Sequence, residues 1–156
     1  MLLFIAHGRR ELVHVNVTAH PTAAWVWRQL LEATPWGRRP RYLLRDRDAV
    51  YGGDFDRRAR RVGIEALLTP VRAPRANAVA ERVVRTFRND CLDHLIVVNE
   101  RHLRAILAEF VRFYNEERPH RSLARETPRP AVRATAGPIR SRAILGGLHH
   151  AYERAA

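Results

Sequence analysis

The chain has 156 residues, enough for one domain with its own core, and carries 28 Lys+Arg against 16 Asp+Glu, a formal charge of +12. All 28 cations are Arg, and the sequence pI is about 11.4. One cysteine, Cys91, excludes an intrachain disulfide and a Cys-based zinc site, no apolar stretch approaches the length of a membrane span, and the cation excess points to a polyanionic partner, nucleic acid first.

In chain order, Met1 to Ala6 reads as a buried strand, His7-Gly-Arg-Arg10 as a turn and Glu11 to Val17 as an alternating strand. Val13, Val15 and Val17 are expected on one face, with Leu12, His14 and Asn16 on the other. A helix is expected from about Pro21 to Ala33, with Trp27, Leu30 and Leu31 on one side. Trp36-Gly-Arg-Arg-Pro40 breaks it. Tyr42 to Arg45 is a short strand, Gly52-Gly53 opens a helix to about Arg61, and Glu65 to Leu68 is another short strand. Thr69 to Ala76 is a Pro/Arg loop. Asn77 is placed to cap a helix reaching about Leu92. One stripe of that helix holds Ala80, Val84, Phe87 and Cys91; another holds Asn77, Glu81, Arg85 and Arg88. Asn99 caps a last helix to about Glu116, with Leu103, Ile106, Leu107, Phe110 and Tyr114 inward. From Glu117 onward Pro, Arg and Gly dominate, and order is expected to fade. Helices interleaved with strands give α/β with a mixed sheet.

Two carboxylates carry the candidate chemistry. Asp46 ends a short apolar strand, where active groups collect in open α/β sheets; the plainer alternative is a turn Asp. Glu81 sits one turn into its helix, and alternatively pairs with Arg85 at i+4. Glu81 follows Asp46 by 35 positions, and Arg88 follows Glu81 by 7, two helical turns along one face. A carboxylate at a strand end and one on a facing helix can together hold Mg²⁺, a hard ion that keeps open positions for water and phosphate. Arg88 would then grip a DNA phosphate. His120 reads as a packing or phosphate-contacting residue rather than a metal ligand, and Trp25, Trp27 and Trp36 as core or edge. No glycine-rich phosphate loop occurs.

Three segments resemble one family: Asp46-Arg-Asp-Ala-Val-Tyr51, Thr69-Pro-Val-Arg-Ala-Pro-Arg-Ala-Asn-Ala-Val-Ala-Glu81-Arg, and Tyr114-Asn-Glu-Glu-Arg-Pro-His-Arg-Ser-Leu123. Together they look like the DDE transposases of bacterial insertion sequences, related to retroviral integrases, from about Leu3 to Pro130. The resemblance implies a ribonuclease H-like mixed sheet flanked by helices. It implies an integrase catalytic core over 1–130, incomplete at its N-terminal side, and a basic C-terminal tail over 131–156. Asp46 and Glu81 correspond to the second and third catalytic acids and metal ligands, with Mg²⁺ or Mn²⁺ in a two-metal site. Arg75, Asn77, Arg85, Arg88, Arg118 and His120 form the expected DNA-contacting set. DNA, both element ends and target, and further copies of the chain are the expected partners. Neither a membrane nor a small-molecule cofactor is expected, and the location is the bacterial cytoplasm, beside the nucleoid.

The family's first catalytic Asp stands on a central strand between the hairpin and the Asp46 strand. No Asp precedes Asp46 here; Glu11 and Glu32 are the only earlier carboxylates, and neither is well placed to substitute. The resemblance therefore implies a chain without that strand, leaving two strand edges exposed or forcing them to pair anew. Two readings follow. One is a core acting by metal-dependent strand transfer once the first strand is supplied. The other is an inactive remnant that binds DNA non-specifically or joins transposase multimers.

Overall fold

A computed structural model describes residues 1–35, 37, 39–70, 77–132 and 134–155. In chain order it contains β1 (Leu2–Ala6), β2 (Glu11–Asn16), α1 (Ala23–Ala33), β3 (Tyr42–Arg45), α2 (Phe55–Arg61), β4 (Glu65–Leu68), α3 (Ala78–Asp90), α4 (Glu100–Glu116), β5 (Ile139–Ile144) and β6 (His149–Arg154). Among the described residues the strands form three separate pairs: β1 antiparallel to β2, β3 parallel to β4, and β5 antiparallel to β6.

The first hairpin walls two cores apart. Along β1, Leu3 and Ile5 pack with α3, α4 and the C-terminal segment, while Leu2 and Phe4 pack with Val26, Leu30, Phe55, Ala59 and Ile64. This is the two-residue alternation of a strand buried on both faces. On β2 the expected alternation fails. The register runs Phe4↔His14 and then Ile5↔Leu12, so Val13 is an extra residue. A bulge of this kind shifts the side-chain phase by one. Val13 is consequently exposed, whereas Leu12 joins Val15 and Val17 in the larger core.

Helix starts follow local chemistry in two cases and depart from it in a third. Thr22 caps α1 through its side chain, accepting from the Trp25 N–H at 3.2 Å, and Asn99 caps α4, accepting from His102 N–H at 2.8 Å. Asn77 makes no capping bond to α3, contrary to expectation, and its side chain lines a surface groove instead. Gly52 does not open a helix. It closes a 3-10 turn at φ 71°, a conformation open to glycine, and α2 begins at Phe55. On α3 the buried stripe is Val83, Phe87 and Cys91; Val84 is exposed.

The described residues beyond Glu117 form turns and a hairpin, against the reading of their composition. Arg118 to Glu126 turns back on itself, and β5–β6 form a hairpin around Leu145-Gly-Gly147. Ile144, Leu145 and Ala151 are buried against α4, the Leu145 N–H donates to Glu109 at 2.7 Å, and the His149 ring stacks on Phe113 at 4.6 Å. The Arg-rich pattern misled because few side chains of this hairpin face the core.

Asn115 joins the two halves. Its Oδ1 accepts from the Leu12 N–H at 2.9 Å and its Nδ2 donates to the Leu12 carbonyl at 2.9 Å, all of it buried. Asn115→Ala strands both backbone groups, each costing about 1–3 kcal/mol. Urea unfolding is expected to show a lowered midpoint with an unchanged slope; a midpoint equal to the parent's would refute the coupling.

Candidate nucleic-acid and metal interface

An open groove of about 700 Å³ lies between β1, β3 and α3. Met1, Leu2 and Leu3 contribute from β1 and its start, Leu44, Arg45 and Asp46 from β3 and its end, and Ala80, Glu81, Val84, Arg85, Arg88 and Asn89 from α3; Tyr51, Asn77 and Asp93 complete it. Asp46 and Glu81, 35 positions apart in sequence, thus open into one space. Each is solvent-exposed.

Asp46 sits in a constrained turn. Arg45 donates from Nη1 to the Asp46 carbonyl at 2.9 Å, and the Asp48 N–H approaches Asp46 Oδ1 at 3.3 Å. Asp48 itself accepts from the Val50 N–H at 2.9 Å, as a turn Asp does. Arg47 ties the turn to the end of β4 through the Thr69 carbonyl at 3.2 Å. Tyr51 stands beside the pair; burial first, then the Asp46 charge, pushes its phenol up to about 12. On α3, no ion pair joins Glu81 to Arg85 among the described residues, so the plainer role for Glu81 has no support there.

The donor chemistry fits a hard divalent ion, since the open carboxylates of Asp46 and Glu81 share the groove, with Asp93 also in its lining. Asp46 and Glu81 would supply two ligands; among the described residues no group of three or more His, Cys, Asp or Glu is placed to hold one ion.

The other predicted residues divide. Asn77, Arg85 and Arg88 line the groove. Arg118 does not; its Nε and Nη2 donate to Asp90 Oδ2 at 3.1 and 2.9 Å, fastening the segment after α4 to α3. His120 is buried, donates to the Tyr114 carbonyl at 3.1 Å and meets the Tyr114 ring edge-on at 4.5 Å. Arg75 lies outside the described residues.

An integrase core domain model matches residues 62–128. That span contains Glu81, the groove face of α3 and the Tyr114–Leu123 segment. That span is an integrase core domain of the DDE transposase/integrase kind. Among relatives of this core, an uncharacterized 39.2 kDa protein of insertion element IS476 from Xanthomonas euvesicatoria is 32% identical over 124 residues, 76% of this chain and 35% of the relative. The transposase InsD of insertion element IS2A/D/F/H/I/K from Escherichia coli is 33% identical over 94 residues, 60% of this chain and 31% of the relative. The core therefore spans about a third of the length of these curated relatives. In fold it is similar to a chain in the cryo-EM structure of the simian T-cell lymphotropic virus intasome in complex with PP2A regulatory subunit B56 gamma. The TM-score is 0.59 at 12% identity, covering 98% of this chain and 59% of that one.

Sequence reasoning missed Arg45 and Asn115 as organising residues of this core. Neither has a periodic signal: Arg45 pairs with Asp56 eleven positions on, and Asn115 with Leu12, 103 positions back.

His120 carries a pH consequence. Burial lowers its pKa below the usual 6.5; the Tyr114 hydrogen bond opposes this and the Arg118 charge reinforces it. The unfolded chain then takes the proton first, so the stabilisation is complete above pH 6.5 and is lost as pH falls through 6.5 toward the folded value. Unfolding free energy measured from pH 7.5 down to about 5 is expected to fall less steeply in His120→Gln than in the parent; identical slopes would count against it.

Proposed function

We propose that this chain is the strand-transfer core of a DNA transposase, of ribonuclease H-like architecture, working on DNA phosphodiesters beside Asp46 and Glu81. One observation carries this reading: the two carboxylates and the cations Arg85 and Arg88 line a single groove. Divalent metal held by Asp46 and Glu81 would supply activation of a hydroxyl and stabilisation of a leaving phosphate oxygen. Arg85 and Arg88 grip the phosphate backbone, with Asn77 on the same groove; Arg75 is a further proposed contact. The expected contacts from Arg118 and His120 are weaker candidates, given their bonds within the protein. The partners are DNA ends, target DNA and further copies of the core, in the bacterial cytoplasm.

On this reading the family's first acid belongs at the same groove. β1 pairs with β2 and β3 with β4, and among the described residues no strand lies between β1 and β3. Both edges border the groove, with Leu44 and Val84 exposed along it. A further strand seated there would pair with both edges and bring a third carboxylate beside Asp46. On this reading the 156-residue chain by itself joins no DNA ends. With Mn²⁺ and a labelled end it should give no strand transfer, whereas joining that disappears in Asp46→Asn would overturn the requirement for a third acid.

DNA binding is expected even without catalysis. It should be non-specific and weaken steeply with salt. Arg88→Ala should reduce the slope of log affinity against log salt by about 1, and Arg154→Ala, remote from the groove, should leave it unchanged. Equal effects of the two would remove the special place of Arg88. Affinity indifferent to salt would remove the phosphate-binding reading altogether.

A further inference from the structure

Arg45 is the least exposed of the ion-paired arginines, with a side chain 10% exposed. Its guanidinium reaches three elements at once. Nε and Nη2 donate to Asp56 Oδ1 on α2 at 3.0 and 2.7 Å. Nη1 donates to the Asp46 carbonyl at 2.9 Å. Its Cζ lies 4.7 Å from the centre of the Tyr51 ring and 5.5 Å from that of Phe55. A planar fork can meet these demands together; a lysine ammonium cannot.

Stability alone gives a poor account of such an arrangement. Arg45 is nearly buried while Asp56 is 40% exposed, so the arginine gives up hydration for a partner whose attraction is partly screened, and apolar replacements of buried charges are frequently neutral or stabilising. The Nη1 bond is also outside the sheet ladder: it holds the peptide that follows β3. That peptide sets the direction of the Asp46 side chain, whose Oδ1 faces the Asp48 N–H.

We propose that Arg45 is a positioning residue, which locks the turn after β3 so that Asp46 presents its free carboxylate oxygen to the groove. The fork, Asp56 and the two rings together form the clamp. This rests on Asp46 being a metal ligand, as proposed above.

The test uses the full chain, Mn²⁺ as probe, and two readouts: free Mn²⁺ by electron paramagnetic resonance, and amide hydrogen exchange at Arg47 and Asp48. Arg45→Met is compared at a temperature where circular dichroism shows it fully folded. Mn²⁺ affinity is expected to fall about 10-fold, the scale seen when supports of a metal ligand are removed. Exchange at Asp48 is expected to speed up while the β3–β4 ladder amides keep their protection. Arg45→Lys should recover little of either, because charge without the fork does not hold the turn. Asp56→Asn, which keeps an oxygen acceptor, should stay close to the parent.

If Arg45→Met does not fold, the Arg45→Lys and Asp56→Asn pair carries the same comparison. Unchanged Mn²⁺ affinity and Asp48 exchange in Arg45→Met would overturn the positioning role, as would a full match between Arg45→Lys and the parent in both readouts. Asp46→Asn separates the two proposals. If that change leaves Mn²⁺ binding untouched, the metal reading fails, while Asp48 exchange still decides whether Arg45 holds the turn.

Discussion

Strand β2 has β1 along one edge and α4 along the other. A strand edge that faces a helix has backbone groups with no ladder to join, and burial makes their desolvation expensive. Asn115 answers this with one side chain, donating to and accepting from Leu12. The contact fixes α4 against the hairpin, and the hairpin separates the two cores. Through α4 it also sets where the returning segment lies: the Asn115 carbonyl accepts the Arg129 N–H at 2.8 Å. The larger core, with Phe87, Phe110 and Phe113, assembles on the surface so defined.

The arginine excess has to be divided before it is read as a DNA-binding charge. Arg45, Arg118 and Arg129 hold Asp56, Asp90 and Glu11 across long sequence separations, and Arg9 spans from the first turn to Glu126 and the Pro128 carbonyl. These cations serve the fold. The groove cations Arg85 and Arg88 belong to no ion pair among the described residues, although their helix also carries Glu81. That separation, more than the total of +12, distinguishes a phosphate-binding face from a basic composition.

The Tyr114–Leu123 string shows how a family pattern becomes physics. Asn115 closes the β2 edge, Arg118 bridges to α3, and His120 donates to the Tyr114 carbonyl while its ring meets that of Tyr114. As sequence, the string named a family and suggested contacts with DNA. As structure, its best-defined partners are within the protein, because the chain turns back here and buries what composition suggested was surface.

The strands β3 and β4, the helices α1, α3 and α4, and the spacing of Asp46, Glu81 and Arg88 were legible in the sequence by itself, because periodicity and capping are local and an α-helix repeats its face every turn. Only the tertiary structure decided the rest. The bulge at Val13 reverses the phase of β2, Asn77 leaves its cap for the groove, and β5–β6 become an ordered hairpin on α4. Each of these depends on partners far away in the chain, and local propensity carries no information about which distant surface a side chain will meet.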